Sequence, residues 1–140
     1  MAEVCVDASF ALKVVLLEPS RDQVRSIWAT WLNNGTEVIA PWLLLFEAHS
    51  VLRRRVFRKE TTEDEAREAW RLLRRQGIRT VHPRGLFDRA WRLAAELGRP
   101  TTYDAVYMAA AELRGCSFWT ADTRLANAAR RKFPWVHSVV

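Results

Sequence analysis

Short apolar runs in this chain are followed, again and again, by stretches with helical spacing. "EVCVD" (3–7) reads as a strand and "SFALKVVLL" after it as a helix. A second helix fits 21–33 and ends near Gly35, and "EVIA" (37–40) is the next strand. Pro41 stands where a proline opens a helix, and "WLLLFEAHSVLRRRVF" carries the apolar period that continues it. "TTEDEAREAWRLLRRQG" has acids in its first turn, arginines in its last and a glycine just after. The strand "IRTVH", a helix at 86–97 closed by Gly98 and a helix at 103–114 before Gly115 come next. The strand "SFWT" (117–120), a helix at 122–132 and a last strand "WVHSVV" complete the chain. Strands separated by helices throughout predict an α/β/α sandwich around a mostly parallel sheet of about five strands. No linker, repeat or low-complexity stretch divides 1–140, so one domain is expected.

The chain is basic, with a formal charge of +6 and a pI near 10.1, and arginine greatly outnumbers lysine. A positive surface favours polyanions: nucleic acid, acidic protein segments or anionic membrane. The N-terminus "MAEVCVDAS" lacks the basic-then-apolar order of a secretion signal. The best apolar run, "VIAPWLLLF", contains a proline and falls short of the ~18 residues that mark a membrane span. A cytoplasmic location is expected. Cys5 and Cys116 are isolated and read as small buried hydrophobes, with no metal-ligand spacing.

Four acids stand out. Asp7 ends the first strand, Asp122 follows "SFWT", and Asp104 lies in the first turn of "TTYDAVYMAAAE". Each alone is explained as a helix cap or a first-turn acid favoured by the helix dipole, and Thr101 is the expected cap ahead of Asp104. Asp104 is also one turn from Met108 and two from Ala111, so it faces the way the core residues face. In an open parallel sheet the strand C-termini share one edge, and that edge binds ligands. Asp7 and Asp122 belong on it, as does the start of the Asp104 helix. Glu47 shares a helix face with Leu43, Leu44, Val51 and Arg54. A carboxylate among leucines needs a cation or strong donors, and pairing with Arg54 is one solution.

Carboxylates gathered at one site repel and raise each other's pKa unless a cation intervenes. His49, two residues after Glu47, points to the other side of that helix, and His82 and His137 are single residues in strands. Oxygen ligands without histidine or cysteine favour a hard cation, Mg²⁺ or Mn²⁺, which activates water and stabilises charge on phosphate. The glycines are dispersed, so no Walker A loop or dinucleotide fingerprint exists. An aspartyl phosphotransferase would carry a second acid two residues after Asp7, where this chain has Ser9.

With these residues in view, "VDASFALKVVLLEP", "APWLLLFEAHSVL", "TTYDAVYMAAAELRG" and "FWTADTRLANAA" resemble the four motifs of the PIN-domain family, in order. Within it they are similar to VapC-type toxins. The resemblance implies a Mg²⁺-dependent endoribonuclease, often a homodimer, silenced by a VapB-like antitoxin that covers the active site. It implies Asp7 and Asp104 as main metal ligands, completed by Glu47 and Asp122. Ser9 and Thr120 fall where the family often carries supporting hydroxyls, and His49 where relatives often carry asparagine. Two rivals are a PIN nuclease of RNA processing without an antitoxin, and a silent RNA- or protein-binding module.

Arg53, Arg54, Arg55 and Arg58 crowd the end of the Glu47 helix. Basic residues favour helix C-termini for the dipole alone. Arg54, two turns from Glu47 on one face, is the best candidate for an RNA phosphate contact. Trp28, Trp31, Trp42, Trp70 and Trp91 fall on helices, as core residues or at an interface.

Overall fold

The computed structural model describes residues 2–139. Among these residues there are five strands: β1 (Glu3–Val6), β2 (Glu37–Pro41), β3 (Arg79–Val81), β4 (Ser117–Thr120) and β5 (Val136–Ser138). Every strand pair is parallel, in the order β3-β2-β1-β4-β5. Seven helices connect them: α1 (Ala8–Val15), α2 (Arg21–Asn33), α3 (Leu43–Phe57), α4 (Glu63–Arg74), α5 (Leu86–Glu96), α6 (Tyr103–Arg114) and α7 (Thr123–Arg130). This is the α/β sandwich read from the alternation.

Strand order explains the layering. From β1 the chain moves outward through β2 to β3, then crosses back to β4 on the far side of β1 and moves outward again to β5. Parallel crossovers are right-handed, so a reversal of direction sends helices to the opposite face. α1 accordingly packs with α2 and α4, while α6 packs with α5 and lies across β1, β2 and β4. The reversal falls between β1 and β4, where open α/β sheets form their ligand crevice.

The central strands are apolar because both faces are covered: Cys5, Val6, Ile39, Ala40 and Phe118 are fully buried. α6 is the most enclosed helix, with every residue from Ala105 to Ala111 buried, and its run of alanines lets it sit close to the sheet. Trp28 is buried against Phe10, whereas Trp42 and Trp91 are 58% and 73% exposed. Both cysteines carry free thiols, and Cys5 is buried in β1.

Two local expectations fail. Pro41 closes β2, paired with Val81, and α3 begins only at Leu43. Pro41 is the last residue of β2, and without an N–H it cannot donate to the ladder there. Thr101 does not cap α6: the cap position is Thr102, and neither side chain makes the capping bond. By contrast Thr62 caps α4, its hydroxyl accepting from the Glu65 N–H at 3.1 Å.

This difference is measurable. Thr62→Ala should lower unfolding free energy by about 1 kcal/mol, and Thr101→Ala should stay within ~0.5 kcal/mol of wild type. Urea melts of the two variants check it; an equal loss in both would restore Thr101 as a cap.

Candidate active site

Asp7 is the first residue past β1 and the cap of α1. The strand ends there because its side chain accepts from the Phe10 N–H at 3.0 Å, which turns the chain into the helix. Its two carboxylate oxygens are otherwise divided between two hydroxyls. Ser9 Oγ donates to Oδ1 at 2.7 Å, and Thr120 Oγ1 donates to Oδ2 at 2.5 Å. Those hydroxyls in turn accept from the backbone N–H groups of Ala121 and Asp122, each at 3.0 Å. Ser9 and Thr120 have each given their single proton to Asp7, so their own 3.3 Å contact is oxygen against oxygen. The β4–α7 turn is thereby tied to the end of β1 through one carboxylate.

Burial pushes the Asp7 carboxyl from its ordinary 3.8 up to about 6. The hydroxyls and the Phe10 N–H oppose that rise, and the charge of Asp104 adds to it. Glu47 projects from the first half of α3, half-buried, and its Oε1 accepts from Tyr107 Oη at 2.5 Å. Its pKa is raised, first by burial and also by Asp104, with the Tyr107 bond working the other way. Tyr107 itself is buried one turn along α6 from Asp104, and burial together with the nearby Glu47 holds its phenol far above the usual range. It keeps its proton and remains a donor.

Asp104 sits in the first turn of α6, half-buried, and its carboxylate accepts no hydrogen bond from the described residues. Burial raises its pKa, Asp122 raises it further, and the positive charge of Arg99 holds it down. Asp122 is exposed and caps α7, accepting from the Arg124 and Leu125 N–H groups at 3.0 and 3.2 Å.

One cavity of about 340 Å³ brings all four acids together, with Ser9 and Tyr107 in its wall. Arg54 lines it as well, exposed and without the ion pair to Glu47 that their shared helix face allowed; Tyr107 has that place. Arg53 is elsewhere. It pairs with Glu63 at 2.8 Å beside a second depression that holds His49 and Trp70. Arg58 is exposed at the end of α3 and does not line the acidic cavity. His49 lies edge-on to Trp70, His82 against Phe87 and His137 on Trp119, so no imidazole reaches the acids.

The donors fit a hard cation in kind: carboxylate and hydroxyl oxygens, with no imidazole or thiol in the lining. Among the described residues, no three His, Cys, Asp or Glu side chains converge tightly enough to be a finished metal shell. The electrostatics point the same way as the donor type. Asp7, Glu47 and Asp104 all have raised pKa values, first from burial and further from a neighbouring acid, and a cation among them would oppose both effects.

Comparison with known proteins now decides the family. A sequence profile of the PIN domain matches residues 4–131. The chain belongs to the PIN-domain family. Its relatives include a VapC ribonuclease of Mycobacterium bovis and the ribonuclease VapC9 of Mycobacterium tuberculosis, each 33% identical over 131 residues that cover 94% of both chains. The fold is shared with PAE2754 from Pyrobaculum aerophilum, at a TM-score of 0.70 and 21% identity over 99% of this chain and 90% of that one. It is shared too with Mycobacterium tuberculosis VapC20, a sarcin–ricin loop cleaving toxin, at a TM-score of 0.63 and 18% identity over 84% and 86% of the two chains.

Sequence reasoning missed Tyr107, Lys13 and Glu18 in the same wall, and it read Arg55 only as one of the arginines crowding the end of α3. Tyr107 had a signal, standing one turn from Asp104 on the same helix face. The others had none, since helix α1 and the loop after it meet α3 only through the fold.

The Asp7 shift has a thermodynamic consequence in the metal-free protein. The folded state holds this proton more tightly than the unfolded chain, so the folded protein gains most below about pH 4. That gain is lost as pH rises toward 6, and a shift of this size amounts to about 3 kcal/mol. Melting temperatures in chelator should therefore fall for wild type across this window. They should fall less for Asp7→Asn, which should melt higher than wild type at pH 7.5. Parallel pH profiles for the two proteins would refute the burial argument.

Proposed function

We propose that this protein is a Mg²⁺-dependent endoribonuclease of the VapC type, with Mn²⁺ able to replace Mg²⁺, and that it is the toxin of a toxin–antitoxin pair. The observation that carries the reading is the cavity itself: four carboxylates from four separate elements face one space at the switch point of the sheet, on a protein that is otherwise strongly basic. The 33% identity to VapC ribonucleases over nearly the whole chain supports the choice of RNA.

Asp7 and Asp104 would hold the cation, with Glu47 and Asp122 completing the set directly or through water. When bound, the cation supplies the positive charge that lets a phosphodiester and an attacking water enter an acidic space together. The protein's own part is positioning. Ser9 and Thr120 fix both oxygens of Asp7, and their hydrogen bonds favour its charged form. Tyr107 fixes Glu47 and remains protonated while doing so. Asp104 has no protein donor on its carboxylate, which leaves its oxygens available. Arg54, in the same wall, meets the RNA backbone from the basic side.

The partner follows from the same charges. A VapB-like antitoxin would place an arginine or lysine among the acids and so offset their repulsion without metal. The exposed aromatic side chains Trp42, Phe46 and Trp91 supply apolar surface for a homodimer. The RNA it would cut is that of the cytoplasm. No helix among the described residues is long and apolar enough to cross a membrane.

The central test is Asp104→Asn. Asparagine starts a helix as well as aspartate does. The variant should keep the metal-free melting temperature of wild type or exceed it. It should lose most of the stabilisation that added Mg²⁺ gives, and cleave RNA about a hundredfold more slowly or worse. Near-normal cleavage with an unchanged metal-induced shift would sink the metal assignment.

A second test concerns the partner. Induced alone, the protein should arrest growth and fragment RNA, and co-expression with a neighbouring reading frame for the antitoxin should relieve the arrest. RNA left intact by folded, Mg²⁺-loaded protein, in cells and in vitro, would count against the toxin and nuclease readings together.

A further inference from the structure

The acidic cavity is bipolar. Besides the four acids it is lined by Lys13 of α1 and by Arg54 and Arg55, about two turns beyond Glu47 on α3, with Glu18 from the loop between α1 and α2. Three cations against one carboxylate leave an excess of two positive charges there. The bonds within this group are unequal. Glu18 binds two of the cations at once: Lys13 Nζ at 3.4 Å through Oε2, and the Arg55 guanidinium through Oε1. Lys13 also donates to the Pro19 carbonyl at 3.0 Å, so its ammonium is held by two acceptors. Arg54 makes no ion pair with a described residue. Glu18 is the more enclosed partner, its side chain 14% exposed against 32% for Arg55.

A carboxylate held between an ammonium and a guanidinium has the donors that a phosphate oxygen pair would use. Arginine forks accept carboxylate and phosphate alike. We propose that Lys13 and Arg55, with Arg54 beside them, form a seat for an RNA phosphate next to the bond cut at the acidic end, and that Glu18 fills this seat when RNA is absent. The proposal rests on the nuclease reading for its substrate. It adds that the strand crosses the cavity with one phosphate at the acids and another at the cations, so the two ends fix its direction. Glu18 then acts as a competitor built into the chain. RNA must displace it, which raises the affinity threshold for binding and selects backbones that reach both ends.

The test measures binding apart from cleavage. Wild type, Glu18→Gln, Arg55→Gln, Lys13→Gln and the double variant Glu18→Gln/Arg55→Gln are titrated against fluorescein-labelled oligouridine in chelator, across a range of KCl. Glu18→Gln is expected to bind about tenfold more tightly. Its slope of log affinity on log salt should steepen by about 0.7 for each further phosphate that the freed cations neutralise. The double variant should lose that advantage. Arg55→Gln and Lys13→Gln alone should each weaken binding severalfold, which keeps the proposal testable should Glu18→Gln fail to fold. Unchanged affinity and slope in the folded variants would overturn it and make the three groups a structural ion cluster. Tighter binding of a polyglutamate peptide to Glu18→Gln, with oligouridine binding unaltered, would overturn the RNA assignment in favour of an acidic protein segment. Cleavage of cellular RNA by wild type with Mg²⁺ is scored separately. Absent cleavage strikes the nuclease reading, while unaltered binding among folded variants strikes only the seat.

Discussion

A single carboxylate holds the working end of this protein together. Asp7 is buried, and burial of a charge is costly unless hydrogen bonds compensate. Three donors do so: the Phe10 N–H, which starts α1, and the hydroxyls of Ser9 and Thr120. Because those hydroxyls also receive the N–H groups of Ala121 and Asp122, the Asp7 carboxylate sets the turn that launches α7 and places Asp122. The compensation is incomplete, since the pKa is still raised to about 6. What structure requires and what a cation would relieve are therefore carried by the same group.

The fold determines why these acids meet. β1 and β4 are neighbours whose following helices leave toward opposite faces, and the gap between the helix starts is the crevice. Asp7 and Asp122 need only follow their strands to reach it. Asp104 arrives because α6 runs antiparallel to the strands and begins at the same edge. Glu47 comes by a different route: the Tyr107 hydroxyl reaches across from α6 to α3 and holds it.

This distinction accounts for what was legible in the sequence. The alternation of strands and helices, and acids just past strand ends, are local patterns, and they survive into three dimensions because parallel sheets align their C-termini. The hydroxyls of Ser9 and Thr120 were readable from family resemblance, and their geometry gives them a physical job. Pairings between elements were not readable. The shared face of Glu47 and Arg54 on one helix allowed an ion pair, yet a buried tyrosine from another helix is the partner. Arg53, one residue from Arg54, turns through about 100° of helix and joins Glu63 on the outside. Thr101 had the chemistry of a cap, but the cap position falls one residue later, on Thr102, whose backbone is not in the extended geometry that a side-chain cap uses.

Charge is arranged on two scales, and they oppose each other. Over the whole surface the excess is positive and draws in polyanions. Inside the cavity the acidic end repels the same molecule, and at short range in a partly buried site that repulsion is stronger than the distant attraction. A phosphodiester therefore cannot settle at the acids on the strength of net charge. It needs local cations, and there are two sources: a hard ion, if one is held among the carboxylates as proposed, and Lys13, Arg54 and Arg55 in the same cavity. The basic wall is permanent, whereas a bound ion would be exchangeable. A strand anchored first at the wall would be delivered to the acids only when the ion is present, which couples cutting to metal without requiring RNA binding to depend on it.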